Sequence, residues 1–292
     1  MTSGFLECVV NVSEGRNTEL LVDLAAACGR VLLDLHSDPH HHRSVFTLCG
    51  PHDAVARAAR SLALAVVERV DVSSHEGVHP RIGALDVVPF VSLGVAGAEL
   101  VDATDRPAMR ARDQFAEWAG GEVGLPCFLY GPERSLPELR RSAWRDLQPD
   151  FGPHVPHPTA GAAAVGARRV LVAYNMWAEC DLEFARRLAG ELRGPHVRTL
   201  ALPAGREVQV SCNLIDPWIV GPGTVFDAVA SRVAISRSEL VGLVPRGVLN
   251  AEPTRRWEEL DLDPSRTIEA RLQLAGLDGG RFDLHGSAPT GP

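Results

Sequence analysis

Apolar and polar positions follow two different spacings along the first half of the chain. Short β-branched and apolar runs predict strands, whereas apolar positions three or four residues apart predict helices. The first predicted helix has Asn17 as its cap and Gly29 as its end. Pro89 lies inside a predicted strand and therefore indicates an edge strand or a bulge. The predicted strands are 6–12, 31–35, 44–49, 85–91 and 127–130, and the further predicted helices are 54–70 and 107–118.

The second half of the chain begins with a stretch rich in proline, glycine and histidine, residues 148–166. We interpret this stretch as a loop-rich hinge between two subdomains, and ligand sites often lie at such junctions. Alternating strands and helices on both sides of it predict an α+β or α/β fold. After Asp283 the glycine and proline content predicts a disordered tail. The predicted strands are 169–174, 197–202 and 208–214, and the predicted helices are 182–192, 224–235 and 267–274.

The chain has 29 basic and 37 acidic residues, a net charge of −8, which argues against a nucleic acid partner. No run of Lys and Arg forms the basic patch of a nucleic-acid-binding protein, so we expect no nucleic acid partner. The six cysteines form no C-x-x-C pair, which indicates free thiols in a reducing compartment. Residues 1–11 lack the features of a signal peptide, and no apolar run reaches the ~20 residues that span a bilayer. We therefore expect a soluble cytoplasmic protein without a membrane partner.

The segment from His75 to Asp86 carries the most informative chemistry. His75, Glu76 and His79 match the H-E-x-x-H pattern of zinc hydrolases, which requires both histidines on one helical face. The glycine at position 77 weakens such a helix, and Pro80 pushes the residue before it out of the α region. A zinc hydrolase is therefore the less favoured interpretation.

A rigid non-helical turn fits the same segment better. In that arrangement His79 and Arg81 project into a site. A histidine titrates near neutral pH and suits general acid–base catalysis, and an arginine suits bidentate capture of a carboxylate. A solvent-exposed turn with a capping histidine is equally compatible with the spacing.

Three consecutive histidines, His40, His41 and His42, precede Arg43. On an extended chain His40 and His42 share one side and could hold a metal, although adjacent histidines need further ligands to close a site. The alternative is a polar loop that leads into the predicted strand 44–49. Arg43 lies at the entrance of that strand, where it can face an anionic ligand.

Two predicted helix starts offer a further kind of site. The stretch 11–17 runs from a strand through a turn into a capped helix, and helix N-termini receive anions. Residues 221–223 give a similar but weaker signal. A turn with a helix cap explains both stretches without a ligand. The sequence contains no G-x-S-x-G elbow, P-loop or dinucleotide fingerprint.

Landmarks in the same order along the chain resemble the glutamate formimidoyltransferase family. They are residues 7–17, 43–47, 79–90, 149–153, 166–168, 208–214 and 239–245. The resemblance implies an α+β fold with two subdomains, each a mixed β-sheet with helices on its outer face, and a ligand cleft between them. It also implies a homodimer. The implied boundaries are 1–166 for the N-terminal subdomain, 167–253 for the C-terminal subdomain and 254–292 for a C-terminal helix and disordered tail.

The resemblance also implies a reaction. A formimino group moves from N-formimino-L-glutamate to N5 of the co-substrate tetrahydrofolate, in histidine degradation and one-carbon metabolism. His79 aligns with the family's catalytic histidine and would act as general acid and base. Arg43 and Arg81 could hold substrate carboxylates, and no metal is expected. The folate-contacting segment aligns with Gly152, Pro153, His154, Val155, Pro156, His157, Pro158, Thr159, Ala160 and Gly161.

Three positions depart from the family pattern near the predicted site. Val78 replaces an acidic residue, His42 replaces an asparagine, and His36 replaces an aspartate. These departures leave open a different formimino donor, such as formiminoglycine, and also a non-catalytic folate-binding homologue. They bear on the amino-acid half of the reaction more than on tetrahydrofolate.

Overall fold

The computed structural model describes residues 4–77, 79–94, 106–205 and 207–277. These residues form two compact units, one of residues 4–94 and 106–168 and one of residues 169–277. Among the described residues, no helix is long and apolar enough to cross a membrane. The predicted disordered tail after Asp283 lies outside the described residues. The predicted subdomain boundaries stay predictions.

The first unit is a mixed six-stranded sheet with helices. Its elements are β1 (Phe5–Val12), α1 (Thr18–Cys28), β2 (Leu32–Asp38), β3 (Arg43–Pro51), α2 (His52–Arg69), β4 (Leu85–Leu93), α3 (Arg106–Trp118), β5 (Cys127–Tyr130), α4 (Leu136–Ser142) and β6 (Ala163–Ala167). The strand order is β2-β3-β1-β4-β6-β5. The first four strands pair antiparallel, and β6 pairs parallel with β4 and β5. The predicted helices 54–70 and 107–118 are confirmed as α2 and α3.

The interior of the first unit is apolar and closely packed. Leu24 of α1, Leu62 of α2 and Phe115 of α3 are all buried, and α2 lies on β1 and β3 while α3 lies on β4. A smaller cluster seats α4, because Leu139 packs with Phe128 and other side chains of the strands. This cluster fixes the position of α4 beside the start of β4.

The prediction that Pro89 marks an edge strand is wrong, because β4 lies between β1 and β6. The ladder between β1 and β4 is nevertheless irregular. Asn11 pairs with Val87 and Val12 pairs with Leu85, so Asp86 is the extra residue of a β-bulge. Bulges re-aim side chains, and this one occurs at the end of the sheet where polar residues gather.

Residues 163–166 belong to the stretch 148–166 that was predicted to be loop-rich, and this prediction is wrong for them because they lie in β6 inside the sheet. The strand consists of alanine, valine and glycine, and alanine and glycine are depleted in strands. The tertiary packing requires small residues here. A Cβ atom on Gly166 would lie 2.1 Å from the Tyr130 ring.

The second unit is a four-stranded sheet with helices. Its elements are β7 (Val172–Ala178), α5 (Leu182–Leu192), β8 (Val197–Ala204), β9 (Glu207–Leu214), α6 (Pro222–Ala230), β10 (Ile235–Val241), α7 (Arg246–Ala251) and α8 (Ile268–Leu274). The strand order is β10-β7-β9-β8, and every pair is antiparallel. The prediction of a mixed sheet is therefore wrong for this unit. The predicted helix 224–235 is too long, because α6 ends at Ala230 and Ile235 already begins β10.

Candidate functional site

Three strand ends meet at one end of the first sheet. Because β1 runs antiparallel to both β3 and β4, the end of β1 lies beside the starts of the other two strands. This register brings Asn11, Arg43 and Asp86 together. Arg43 Nε donates a hydrogen bond to Asn11 Oδ1 at 3.1 Å.

Asp86 is the centre of this group, and its side chain is completely buried. Its Oδ2 accepts hydrogen bonds from Arg43 Nη1 at 2.6 Å and from Arg140 Nη2 at 2.7 Å. Its Oδ1 accepts from the backbone N–H of Ile82 at 2.8 Å. Burial raises the pKa of Asp86, but the charges of Arg43 and Arg140 more than offset it, so the pKa lies below its usual value. The carboxylate therefore stays ionised.

His79 lies on a non-helical turn next to this carboxylate. Its Nδ1 is 2.8 Å from the carbonyl oxygen of Pro80, which accepts the hydrogen bond in the tautomer that carries a proton on Nδ1. Nε2 has no hydrogen-bond partner among the described residues, so its lone pair can take a proton. Burial and the Arg43 charge lower the pKa of His79 to about 3, so the ring is neutral at pH 7.

Arg140 was not recognised from the sequence. It projects from α4, donates to Asp86, and also hydrogen-bonds the same Pro80 carbonyl that receives His79 Nδ1. The helix begins with a capping box between Ser135 and Glu138. That box predicts a helix but gives no signal for the role of a residue near its end, which is separated from Asp86 by 54 positions.

Arg81 points to a second group of side chains. One of its terminal nitrogens hydrogen-bonds His75 Nδ1, and Nη2 donates to the His41 carbonyl at 3.4 Å. His75 Nε2 donates to the His42 carbonyl at 3.2 Å. The two side chains of the turn therefore have different hydrogen-bond partners. Arg81 binds His75 and the His41 carbonyl, whereas His79 binds the Pro80 carbonyl.

The zinc pattern lacks its required geometry. Residues 75–77 and 79 lie outside any helix, and both ring nitrogens of His75 already have hydrogen-bond partners. In the part of the chain that the structure describes, no three His, Cys, Asp or Glu side chains are grouped to hold a metal. The prediction of a non-helical turn at this segment is confirmed.

The three-histidine run forms a turn that borders the site. His42 has φ 48°, a left-handed conformation that asparagine and histidine tolerate better than most residues. This explains why histidine can stand here in place of the asparagine of the family pattern. Its ring stacks on His75 at 4.1 Å between centroids, and the buried His41 ring meets His79 edge-on at 6.1 Å. Burial lowers the pKa of His42, and electrostatic repulsion from His75 lowers it further.

Both predicted helix starts hold carboxylates of the chain itself. Glu14 Oε1 accepts from three successive backbone N–H groups, at 2.7 to 3.0 Å, and Asn17 caps α1 as predicted. Glu252 Oε1 accepts from Gly223 N at 2.8 Å at the start of α6. An external anion would have to displace these carboxylates, so the interpretation as helix caps is confirmed for the first start, and the second is filled by Glu252.

The predicted folate segment divides into two parts. Its end lies against the turn that carries His79, because Ala84 N donates to Ala160 O at 2.8 Å and Ala162 N donates to Ile82 O at 3.0 Å. Its beginning, residues 152–156, is exposed. The His157 ring accepts from the backbone N–H of Ala160 at 3.0 Å, so this side chain stabilises the turn between the two parts.

A polar pocket of about 220 Å³ lies in the first unit, on the side of the His42–His75 stack. Its lining combines basic and acidic side chains with the two histidines. The lining residues are Ser13, Glu14, Arg16, His42, Arg69, Val70, Asp71, Ser74, His75 and Glu76.

These features define a class: α+β proteins that hold a neutral imidazole on a non-helical turn, beside a buried carboxylate shared by two guanidinium groups. Comparison with known proteins is more specific. The N-terminal subdomain of the formiminotransferase domain matches residues 5–168. The chain belongs to the formiminotransferase family, and the resemblance stated from the sequence is confirmed.

Relatives of two lengths are similar to the chain. The glutamate formimidoyltransferase of Streptococcus pyogenes serotype M1 is 34% identical over 84% of this chain and 90% of its own length. That of Thermoplasma acidophilum is 32% identical over 92% of this chain and 98% of its own length. The formimidoyltransferase-cyclodeaminase of Sus scrofa is 34% identical over 83% of this chain. The match spans about half the length of that longer protein.

Proposed function

We propose that this chain is a glutamate formimidoyltransferase, which transfers a formimino group from N-formimino-L-glutamate to N5 of tetrahydrofolate. The observation that carries the proposal is the state of His79, a neutral ring whose Nδ1 is held by a carbonyl and whose Nε2 has no partner in the part of the chain that the structure describes. A ring in this state can accept a proton and later return it.

The proton transfers follow from the bonds that change. N5 of tetrahydrofolate attacks the formimino carbon and must lose its proton, which Nε2 of His79 accepts. The bond between that carbon and the glutamate nitrogen then breaks, and the nitrogen leaves with a proton returned by the same imidazole. One histidine serves both steps, because the two nitrogens bond the same carbon in succession.

The charge of the site suits anionic substrates. Arg43 and Arg140 bind the buried carboxylate of Asp86, and Arg81 is close enough to interact with it electrostatically. The surplus positive charge attracts the carboxylates of the donor and of the folate tail. Arg43 is committed to Asp86 and Asn11, so it contributes through its charge more than through direct capture.

The carboxylates of the substrates also affect His79. In the protein without substrate, burial is the largest cause of the low pKa of His79, and the charge of Arg43 is the next largest. A bound carboxylate offsets that positive charge and raises the pKa toward the neutral range, where a general acid–base works best. The donor thereby adjusts the ring that acts on it.

The residues present also fit tetrahydrofolate as co-substrate. Residues 152–156 are exposed and continue to residues 159–161, whose backbone lies beside the turn of His79. An exposed segment of this kind can receive a flat pterin ring. Residues Gly152 to Gly161 are therefore proposed to contact the folate.

Several further features rest on the family resemblance alone. They are a ligand cleft between the two subdomains, a homodimer and a cytoplasmic location. The absence of a metal from the reaction stays a prediction as well. The donor is proposed to be formiminoglutamate, and formiminoglycine is the alternative that the departures at positions 36, 42 and 78 leave open.

Replacing His79 with alanine tests the proposal. The variant should lose roughly 10²- to 10⁴-fold in kcat for formimino transfer, the range expected for one general acid–base. His196→Ala, a histidine of the second unit that is outside the proposed site, is the matched control and should keep full activity.

Formation of 5-formiminotetrahydrofolate from formiminoglutamate and from formiminoglycine measures the effect and also identifies the donor. Full activity of His79→Ala would contradict the proposed role of the imidazole. Folate binding by the wild-type protein without transfer from either donor would instead indicate a non-catalytic homologue.

A further inference from the structure

We propose that Arg140 is a positioning residue, which holds the Pro80 carbonyl and thereby fixes the ring of His79 for proton transfer. The proposal rests on the function proposed for His79. It extends that function to a helix, α4, that the sequence does not connect with the site.

The hydrogen bonds around one oxygen carry the argument. The carbonyl oxygen of Pro80 lies 2.8 Å from His79 Nδ1 and also accepts from Arg140 Nη1. A carbonyl has two lone pairs, so both donors can be satisfied at once. The guanidinium thus holds the acceptor that selects the tautomer and the orientation of the ring.

The second half of the same guanidinium ties this oxygen to the core of the sheet. Arg140 Nη2 donates to Asp86 Oδ2 at 2.7 Å, and Asp86 is completely buried. The planar fork of an arginine keeps its two hydrogen bonds in a fixed relation. Pro80 is therefore held at a constant position relative to the bulge in β4.

Both terminal nitrogens of Arg140 are engaged by protein oxygens, and its side chain is only 18% exposed. A residue committed in this way has little capacity to bind a substrate carboxylate. Its removal should therefore lower kcat more than it raises KM. This distinguishes a positioning residue from a substrate-binding one.

Charge gives the proposal a second readout. Arg43 of β3, Asp86 of β4 and Arg140 of α4 act electrostatically on His79, Pro80 accepts from it, and His41 meets it edge-on. Removing the charge of Arg140 leaves Asp86 balanced by Arg43 alone. The imidazolium form of His79 then becomes less unfavourable, and the ring should titrate at higher pH than in the wild-type protein.

Three variants of the full-length chain test the proposal. Arg140→Gln removes the charge, Arg140→Lys keeps it without the fork, and Arg141→Gln makes the same change at the exposed neighbouring position. We expect Arg140→Gln to lower kcat about tenfold with KM within about twofold, since small losses of orientation cost large factors in rate. Arg140→Lys should recover part of that loss, and Arg141→Gln should behave as wild type.

Titration of His79, followed by the NMR shift of its Cε1–H, is measured in parallel and needs no activity. The midpoint should rise in Arg140→Gln and stay low in Arg140→Lys and Arg141→Gln. A KM increase of about tenfold at unchanged kcat would assign Arg140 to substrate binding and overturn the proposal. An unchanged kcat and titration would overturn it as well.

The same measurements separate failure of this proposal from failure of the proposed function. If the wild-type protein transfers no formimino group while the titration of His79 still responds to Arg140→Gln, the proposed function fails and the positioning contact stands. If His79→Ala abolishes transfer while Arg140→Gln changes neither kcat nor the titration, only the role of Arg140 fails.

Discussion

One ion-pair group of the first unit and one of the second have opposite designs. In the first unit one carboxylate, Asp86, binds two guanidinium groups, at 2.6 and 2.7 Å. In the second unit one guanidinium, Arg256, binds the two carboxylates of Asp227 and Glu259, at 2.7 and 2.9 Å. The distances are nearly equal, but Asp86 is completely buried whereas Asp227 is 63% exposed.

This difference in burial decides what each group contributes. Water screens the Arg256 group, so it stabilises the fold by about 1 kcal/mol or less. The Asp86 group is desolvated, and removing one partner would leave charge inside the protein without compensation. A short hydrogen bond therefore does not by itself identify an important ion pair. Burial identifies it, and of these two groups the buried one is next to His79.

Replacing Asp86 with asparagine is the strongest test of the comparison. The variant leaves Arg43 and Arg140 without their counter-charge, and we expect the free energy of unfolding to fall by roughly 3–5 kcal/mol. Urea denaturation followed by circular dichroism measures the change.

Asp227→Asn is the matched control, because it removes one carboxylate from the exposed group. It should cost about 1 kcal/mol or less. Equal losses in the two variants would mean that burial does not distinguish the groups, and the comparison would fail.

Two glycines, Gly83 in the first unit and Gly190 in the second, test whether close packing is also specific to the surroundings of His79. A Cβ atom on Gly83 would lie 2.1 Å from the Ala162 carbonyl oxygen, where the turn of His79 meets the end of the proposed folate segment. Gly83→Ala should destabilise the protein by roughly 1–3 kcal/mol, as overpacking does, and should lower activity because the turn must move.

Gly190 of α5 has no neighbouring atom within 4 Å of an added Cβ. Gly190→Ala should therefore stabilise the helix by up to about 1 kcal/mol and leave activity unchanged. Thermal unfolding of both variants gives the two signs. A Gly83→Ala protein as stable as wild type would show that the close approach at the turn is not required.

The smallest expected effect concerns the protonation of His79, which we expect not to change in mildly acidic solution. Burial and the Arg43 charge lower the pKa of His79 to about 3, so its neutral base form should persist as the pH falls from 8 to 5. The NMR shift of its Cε1–H should stay constant over this range, with His79→Gln used to assign the signal. A midpoint between pH 6 and 7 would contradict the positive surplus around Asp86.

Local structure was predictable where it depends on neighbours in the sequence. The helices α2, α3 and α5 follow the apolar spacing, and Asn17 caps α1 as its side chain predicts. The strand β6 was missed because alanine and glycine, which make up most of it, are depleted in strands. Its strand conformation comes from β4 and β5, which pair with it on both sides.

The candidate site shows the same division. Gly77 and Pro80 were sufficient to predict that the segment around His79 is a non-helical turn. The position of Asp86 was not predictable, because it depends on a bulge between two strands that are far apart in sequence. Arg140 also lacked a signal, since arginines near helix ends are common and most of them are exposed.

The sequence by itself determined the main helices and the non-helical turn that carries His79, because these depend on residue types at short spacings. It also determined the family, whose landmarks follow in a fixed order and imply the α+β class. Only the tertiary structure decided which charges surround that histidine and which groups are shielded from water. These depend on strand register and on the seating of α4, which bring distant residues to within hydrogen-bond distance. The chemistry of the site follows from the resulting burial, because a charge acts strongly only where water is excluded.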